Sequence, residues 1–394
     1  MESKNLRSRK NKAVSCSPFH ACAALYRSKV ITVEPAIFLI MLARHLYIQL
    51  YEQYYYVKYG SQLLQNTSFP FPNGSFCLNS SQVDSYVGNG SFKIVETFSD
   101  NLVVYGQLAN RIPSIIITIL LGPLSDRYGR KPILLLAAAG LTLEGFIAML
   151  IVHFKWNPYY FIIANFIGGM SGDYSGILSG SYSYIADVSS EKWRGLRIGI
   201  IEGVFCIGAA AGPFLIGYWL QQNNCDFILP LWLYVACNIT AGLYIMFCIP
   251  ESLTKTERQD LTSRNPKGFK AMLHGLGILA GRVPQYSHTV WKFWTVNFVA
   301  SLLVLNAAGA ELISVYFLKA PPFDVNARMV GIYQSAQSAS RAFSNTVLMA
   351  IFSAMKMPEA AIALIAVAVH SVCNLLIGFS KKVYQVYTGI YNKA

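Results

Sequence analysis

Charged residues are scarce in this chain. Only 13% of its 394 residues are charged, whereas 54% are hydrophobic. A soluble protein of this length needs a surface rich in polar and charged groups, so the composition excludes an ordinary soluble domain. Lipid is therefore the expected solvent for most of the chain.

Sequence motifs for enzyme chemistry and for metals are absent. The eight cysteines show no CxxC pair or other metal-ligand spacing, and no nucleotide-binding loop or nucleophile with a nearby base occurs. We therefore expect no enzyme activity, no metal and no cofactor. The net charge of +13 does not indicate a nucleic acid partner, because the basic residues form no patch interleaved with aromatic residues.

Long apolar segments dominate what is present. Each is long enough to cross about 30 Å of hydrocarbon. The nine segments lie at residues 34–51, 102–122, 133–153, 158–186, 197–219, 228–249, 293–318, 329–354 and 359–379. They predict an all-α polytopic membrane protein. Lys and Arg are concentrated before the first segment and in the even-numbered loops, which places the N-terminus in the cytoplasm.

Four regions follow from this pattern. Residues 1–29 form a basic cytoplasmic arm, which acts either as an orientation signal or as a site for anionic lipid. Residues 30–250 form a six-helix bundle that contains an extracellular loop at 52–100. Residues 251–291 form a cytoplasmic central loop. Residues 292–394 form an incomplete C-terminal bundle, because the chain stops before a tenth span is complete.

The extracellular loop has two features of an exported segment. It contains four Asn-x-Ser/Thr glycosylation sequons, at Asn66, Asn73, Asn79 and Asn89. Cys77 lies in this loop and Cys225 in a later outer loop, where the oxidising compartment would let them form a disulfide.

Charged side chains within the spans are the candidates for function, because each costs about 2.5 to 3.5 kcal/mol to insert without a partner or a water-filled cavity. They are Asp173, Glu202 and Glu311, together with Arg44, His45, Arg111 and Arg341. A carboxylate in a partly dry cavity takes up and releases protons more readily near neutral pH, which favours proton coupling. The alternative is a static ion pair of Glu202 or Glu311 with Arg341 or Arg111.

Small and aromatic residues suggest how the spans pack. Glycines recur every fourth residue at positions 168–180 of the fourth span, beside Asp173, and predict a close helix contact. The fifth span has Gly208, Gly212 and Pro213, which predict a kinked and tightly crossed helix and are similar to an antiporter motif. Five tyrosines between positions 47 and 56 predict an aromatic belt at the membrane interface, or a surface that stacks on a planar substrate.

Several of these patterns occur together in one family. They are Val33-Glu34-Pro35, the charged turn with Asp126, Gly129 and Arg130, Gly172-Asp173-Tyr174, residues 186–190, and Glu202 at its spacing from Asp173. In these motifs the chain resembles the proton-coupled folate transporter family, solute carrier family 46. The resemblance covers roughly residues 30 to 380 and implies a major facilitator fold, ordinarily of twelve helices, of which about nine are present here.

The resemblance also implies residue roles. Asp126, Gly129 and Arg130 would belong to a motif that governs the conformational cycle. Asp173 and Glu202 would serve transport and proton coupling, and we add Glu311 and Arg341 to this set from their positions within spans. The chain departs from the family at Asn306, where the family has a histidine tied to protonation, and near Phe323, where it has a cysteine.

These observations predict a symporter that moves a bulky organic anion together with protons by alternating access. The expected partners are a small organic anion, protons and the bilayer, with a homo-oligomer as an open alternative. The expected location is the plasma membrane or an endosomal or lysosomal membrane. The alternative function is a truncated, non-transporting isoform that regulates a full-length relative.

Overall fold

The computed structural model describes residues 32–65, 89–223, 226–253 and 327–379, with some single positions between 254 and 305. The predicted sites Asn66, Asn73, Asn79, Cys77, Cys225 and Glu311 lie outside the described residues, as do Asn306 and Phe323. The described part of the chain is helical, with short turns between helices.

The helices are numbered here in chain order. They are α1 Glu34–Gln65, α2 Asn89–Tyr128, α3 Arg130–His153, α4 Phe161–Met170, α5 Asp173–Val188, α6 Glu191–Gln222, α7 Ile228–Cys248, α8 Ala327–Phe343, α9 Met349–Ala354 and α10 Glu359–Gly378. A single 3-10 turn, Pro158–Tyr160, precedes α4, and a π-helical segment, Ser344–Leu348, joins α8 to α9.

Four of these helices are long and apolar enough to cross a membrane, counting only the described residues. Their apolar parts are Thr97–Tyr128, Arg130–His153, Trp193–Leu220 and Ile228–Cys248. Large apolar side chains are exposed along them, for example Ile115 on α2 and Phe214 on α6. Such a surface is stable in lipid and would aggregate in water.

Two predicted boundaries are wrong. Residues 52–100 were expected to form a loop, but α1 continues to Gln65 and α2 already begins at Asn89. The fourth span was expected to be one helix, but it consists of α4 and α5 with a break at Ser171 and Gly172. Gly168 therefore lies on α4, Gly172 lies at the break, and Gly176 and Gly180 lie on α5.

Helix α1 is the central element of the bundle. It packs against α6 and α7, while α3 packs against α7 and α5, and α2 packs against α4. Because α1 has neighbours on several sides, its tyrosines are buried: Tyr47, Tyr51, Tyr54 and Tyr55 are no more than 7% exposed. The expected aromatic belt is therefore wrong for these four residues, which form part of the core.

The crossing of α1 and α6 depends on the absence of side chains at two glycines. An added Cβ at Gly208 would lie 2.9 Å from the Leu42 nitrogen, and one at Gly212 would lie 2.7 Å from the Leu46 nitrogen. Real Cβ atoms do not approach backbone atoms so closely, so the two helices contact each other backbone to backbone. On another side, α6 also packs against α8.

Candidate functional site

A buried arginine holds two acids in the centre of the bundle. Arg44 on α1 lies 3.1 Å from the Glu144 carboxylate on α3 and 3.2 Å from the Asp173 carboxylate on α5. The side chains of both acids are 0% exposed, and that of Arg44 is 5% exposed. Three helices are therefore tied together at one point by charge-assisted hydrogen bonds.

Tyrosines orient the Glu144 end of this cluster. The Tyr234 hydroxyl on α7 donates a hydrogen bond to Glu144 Oε2 at 3.1 Å. Its ring stacks on Tyr47 with 4.7 Å between the ring centroids, and Tyr47 in turn lies beneath the Arg44 guanidinium at 5.7 Å. At Gly168 on α4 an added Cβ would come 2.6 Å from Glu144 Oε2, so this glycine makes room for the carboxylate.

The break in the fourth span places Asp173. Gly172 has φ +90° and Asp173 has φ +48°, both in the left-handed region, which Asp tolerates better than most residues. Ser114 on α2 donates a hydrogen bond to the Gly172 carbonyl at 2.8 Å and holds the break in position. Asp173 becomes the first residue of α5, where the positive end of the helix dipole stabilises a carboxylate.

A second arginine reaches the same acid from α2. Arg111 Nη1 lies 3.6 Å from Asp173 Oδ2, the oxygen that also contacts Arg44. Its guanidinium lies over the Tyr174 ring at 4.5 Å. The Arg111 side chain is 35% exposed, in contrast to the rest of the cluster. Arg111 thus pairs with Asp173, whereas the alternative of a static pair with Glu311 concerns a residue outside the described part of the chain.

Glu202 lies on α6 with a partner of its own. The Tyr182 hydroxyl on α5 donates a hydrogen bond to its carboxylate, and Glu202 is half-buried. Arg341 is half-buried on α8, which packs against α6. Of the four transport residues proposed from sequence, Asp173 lies in the buried cluster, Glu202 and Arg341 lie on a neighbouring pair of helices, and Glu311 is outside the described residues.

A second charged cluster lies where α2 meets α3. Arg130 contacts Asp126 at 2.7 Å and Asp187, near the end of α5, at 3.0 Å. Ser252 donates to the same Asp187 oxygen at 2.9 Å. The charged turn expected around Asp126, Gly129 and Arg130 is short, because α2 continues to Tyr128 and only Gly129 separates it from α3.

Glu251 caps the N-terminus of α3. Its carboxylate accepts hydrogen bonds from the backbone nitrogens of Arg130 at 2.7 Å and Lys131 at 3.3 Å. These backbone N–H groups have no hydrogen-bond partner within the helix, so the cap satisfies them. The negative charge of Glu251 also interacts favourably with the positive end of the helix dipole. Gly129 has φ +104°, and an added Cβ there would collide with the Glu251 carboxylate. Only glycine fits this position.

Sequence reasoning missed Glu144 and Glu251. Glu144 is a carboxylate within the third predicted span, so the criterion that selected Asp173 should have selected it as well. Glu251 lay at a loop boundary and had no sequence signal of its own. Among the described residues, no group of three His, Cys, Asp or Glu side chains could hold a metal ion.

The fold and the buried charges define the class of protein as a helical membrane transporter. Ion pairs in the middle of a bundle of apolar helices are typical of membrane transporters, because unpaired charges are costly in lipid. The Major Facilitator Superfamily model matches residues 99–390. The chain therefore belongs to the Major Facilitator Superfamily, a family of transporters and not of enzymes, and the predicted helical major facilitator fold is confirmed.

Individual relatives confirm the resemblance to solute carrier family 46. The chain is 26% identical to the proton-coupled folate transporter of Rattus norvegicus over 80% of this chain and 64% of the rat protein. It is 24% identical to the lysosomal proton-coupled steroid conjugate and bile acid symporter of Gallus gallus over 74% of this chain and 62% of that protein. The chain thus spans somewhat less than two thirds of these curated relatives.

Solved structures agree on the fold. A human organic anion transporter superposes with a TM-score of 0.56 at 16% identity, covering 96% of this chain and 83% of that one. A proton:xylose symporter bound to 6-bromo-6-deoxy-D-glucose superposes with a TM-score of 0.50 at 15% identity, covering 91% and 78% of the two chains. At these identities the likeness shows the fold alone.

Proposed function

We propose that the chain carries an organic anion across a membrane together with protons, by alternating access around the cluster of Arg44, Glu144, Asp173 and Arg111. The observation that carries the proposal is the sharing of Arg44 between two fully buried carboxylates. The names of two relatives, a folate transporter and a steroid conjugate and bile acid symporter, both proton-coupled, support the substrate class and the coupling.

The charge balance of the cluster supports symport. Two arginines and two ionised carboxylates sum to zero, which is the least costly state for groups removed from water. A proton on one carboxylate leaves one positive charge in excess, and an anionic substrate cancels it. Proton and anion are therefore each unfavourable alone and favourable together, which is the thermodynamic condition for coupled movement.

Two arginines lie against Asp173, the proposed proton acceptor. Asp173 contacts Arg44 from α1 and Arg111 from α2. Beyond Arg44 lies Glu144 on α3, which accepts a hydrogen bond from Tyr234 on α7. Protonation of Asp173 would weaken its hold on both arginines at once. Protonation of Glu144 would weaken its contact with Arg44 and leave Arg111 in place, so protonation of Asp173 changes the cluster more, and we propose Asp173 as the residue that exchanges the proton.

Glu202 and Arg341 are proposed to act at the neighbouring contact between α6 and α8. In a transporter that rocks two bundles around a central site, this helix pair would change its packing during the cycle. The Asp126, Gly129 and Arg130 motif is proposed to hold the cytoplasmic ends of α2, α3 and α5 together in one of the two states. We place the protein in the plasma membrane or an endosomal or lysosomal membrane.

Uptake measurements test the proposal. Cells expressing the full chain would be given radiolabelled folate, taurocholate and estrone sulfate at acidic and at neutral external pH. We expect at least one anion to be taken up faster at acidic pH, and Asp173→Asn to remove the pH dependence. Equal uptake at both pH values would rule out proton coupling.

The same assay tests the alternative function. A chain that reaches the surface, takes up none of the anions and alters uptake by a co-expressed full-length relative would support a regulatory role instead of transport. Surface biotinylation of wild type and each variant is the control for expression.

A further inference from the structure

Arg111 lies too deep in the bilayer to reach the interface. It lies nine residues after the start and eleven residues before the end of the apolar span 102–122, which is about 14 Å and about 17 Å along the helix axis at about 1.5 Å per residue. An arginine side chain cannot extend its charge over that distance. The exposed third of the side chain must therefore face a polar space within the membrane or carry a high cost in lipid.

The pattern of α2 indicates the direction in which Arg111 points. Polar residues recur at helical spacing along one face, namely Gln107, Arg111, Ser114 and Thr118. Gln107 donates to the Tyr51 hydroxyl on α1 at 3.3 Å, and Ser114 donates to the Gly172 carbonyl. Exposed isoleucines, namely Ile112, Ile116 and Ile119, lie on a different face. The polar face of α2 is therefore directed toward α1 and α5.

Asp173 does not depend on Arg111. Its Oδ2 is already held by Arg44 at 3.2 Å, and the contact with Arg111 at 3.6 Å is the longer of the two. Among the described residues, Asp173 Oδ1 has no hydrogen-bond partner. An anion that took Arg111 from Asp173 would leave the acid still paired with Arg44, so the exchange costs little.

We propose that Arg111 and Tyr174 form the docking point for the anionic group of the transported molecule, and that Asp173 occupies this point when no substrate is bound. The inference rests on the proposed function and names the residues that bind its substrate. The planar guanidinium presents a fork of N–H donors that fits a carboxylate or sulfate. The Tyr174 ring beneath it fixes its plane and shields one face from water.

The surroundings of Tyr174 indicate the rest of the ligand. The Phe205 ring on α6 lies 6.5 Å from Tyr174, and the His45 ring lies 5.5 Å from Phe205 in an edge-on arrangement. An aromatic surface thus extends from the docking point toward α6 and α1. It favours an anion attached to a flat or ring-shaped apolar body, because such a body can stack on these rings. Uncharged solutes such as glucose have no anionic group for Arg111 to bind.

Equilibrium binding to the purified full chain in detergent tests this proposal without a proton gradient. The probe is tritiated estrone sulfate, and estrone, which lacks the sulfate, is the matched uncharged competitor. We expect Arg111→Gln to weaken estrone sulfate binding about tenfold or more and to leave competition by estrone unchanged. Tyr174→Leu should weaken binding about twofold to fivefold, whereas Tyr174→Phe, which keeps the ring, should recover most of the affinity that Tyr174→Leu loses.

Asp173→Asn separates docking from a structural role. If Asp173 competes with the substrate, its neutral variant binds estrone sulfate more tightly than the wild type at neutral pH. If the cluster only holds the helices together, Asp173→Asn and Arg111→Gln weaken binding alike, and the proposal is wrong. If Asp173→Asn fails to fold, the comparison of Tyr174→Leu with Tyr174→Phe still tests the docking point, because neither substitution breaks an ion pair.

The outcomes also distinguish this inference from the proposed function. Wild-type binding with no pH-dependent uptake would overturn proton coupling and leave the docking point standing. Proton-coupled uptake that is unaffected by Arg111→Gln would overturn the docking point alone. Failure of the wild type to bind estrone sulfate, folate and taurocholate would overturn the assignment of a ring-bearing anion.

Discussion

Arg44 and Asp173 are 129 positions apart in the sequence and 3.2 Å apart in the bundle. The arginine uses its other terminal nitrogen for Glu144, so a single guanidinium connects the first, third and fourth spans. Because all three side chains are withdrawn from water, each one depends on the others for its charged state.

Removal of Arg44 should destabilise the fold strongly. Arg44→Ala leaves Glu144 and Asp173 close together without their shared cation, and breaking a buried ion pair in this way costs about 3–5 kcal/mol. Arg111→Ala is the matched control. It leaves Asp173 paired and should cost no more than about 1 kcal/mol, as for other partly exposed pairs. Thermal unfolding in detergent should place the Arg44 variant well below the Arg111 variant, and the reverse order would contradict the assignment of Arg44 as the central residue.

Gly129 should not accept a side chain. Gly129→Ala forces a left-handed conformation on alanine and pushes Glu251 away from the first backbone nitrogens of α3, at a cost of about 1–3 kcal/mol. Gly122→Ala, seven residues earlier on α2, has nothing within 4 Å of the new Cβ. This control should be neutral or slightly stabilising, since it replaces glycine inside a helix. Equal unfolding temperatures for the two variants would show that the Glu251 cap is unimportant.

The α1–α6 crossing offers a second pair of glycines. Gly212→Ala places a methyl group against the backbone of Leu46, whereas Gly217→Ala, on the same helix, meets nothing within 4 Å. Overpacking of this kind costs about 1–3 kcal/mol. We expect lower yield and a lower unfolding temperature for the Gly212 variant only. A Gly212 variant as stable as wild type would mean that the two helices separate easily.

Glu202 can be tested apart from the central cluster. Glu202→Gln removes the second carboxylate expected to serve proton coupling and should reduce the dependence of anion uptake on external pH without abolishing it, because Asp173 remains. Tyr182→Phe removes the hydrogen bond to this carboxylate but keeps the acid, so acid-stimulated uptake should persist. If Glu202→Gln keeps the wild-type pH profile, Glu202 is a structural residue and the proton is carried elsewhere.

Much of the fold could be predicted from the sequence because a segment that crosses lipid must be apolar and long enough to span the hydrocarbon core. Apolar length and the distribution of Lys and Arg locate the spans, and the charged turn with Arg130 identifies the family. Asp173 was found because a carboxylate in the middle of a span is exceptional. These are local features, and each can be seen without knowing which helices are neighbours.

The partners of these residues could not be predicted in the same way. Which arginine faces Asp173 depends on how α1, α2 and α5 are rotated against one another, and the sequence spacing contains no such information. The burial of the α1 tyrosines has the same origin, because an aromatic residue near a span end fits a membrane interface as well as a crowded core. Glu251 caps a helix that begins 121 positions earlier, which only the folded arrangement reveals.

Because of the break at Gly172, the fourth predicted span consists of two helices, α4 and α5, and Asp173 lies at their junction. The two helices have different neighbours. α4 packs mainly against α2 and α3, whereas α5 also packs against α1 and α6. One of the two helices could tilt while the other keeps its contacts. A change in the angle between α4 and α5 would therefore alter the contacts of Asp173 with Arg44 and Arg111.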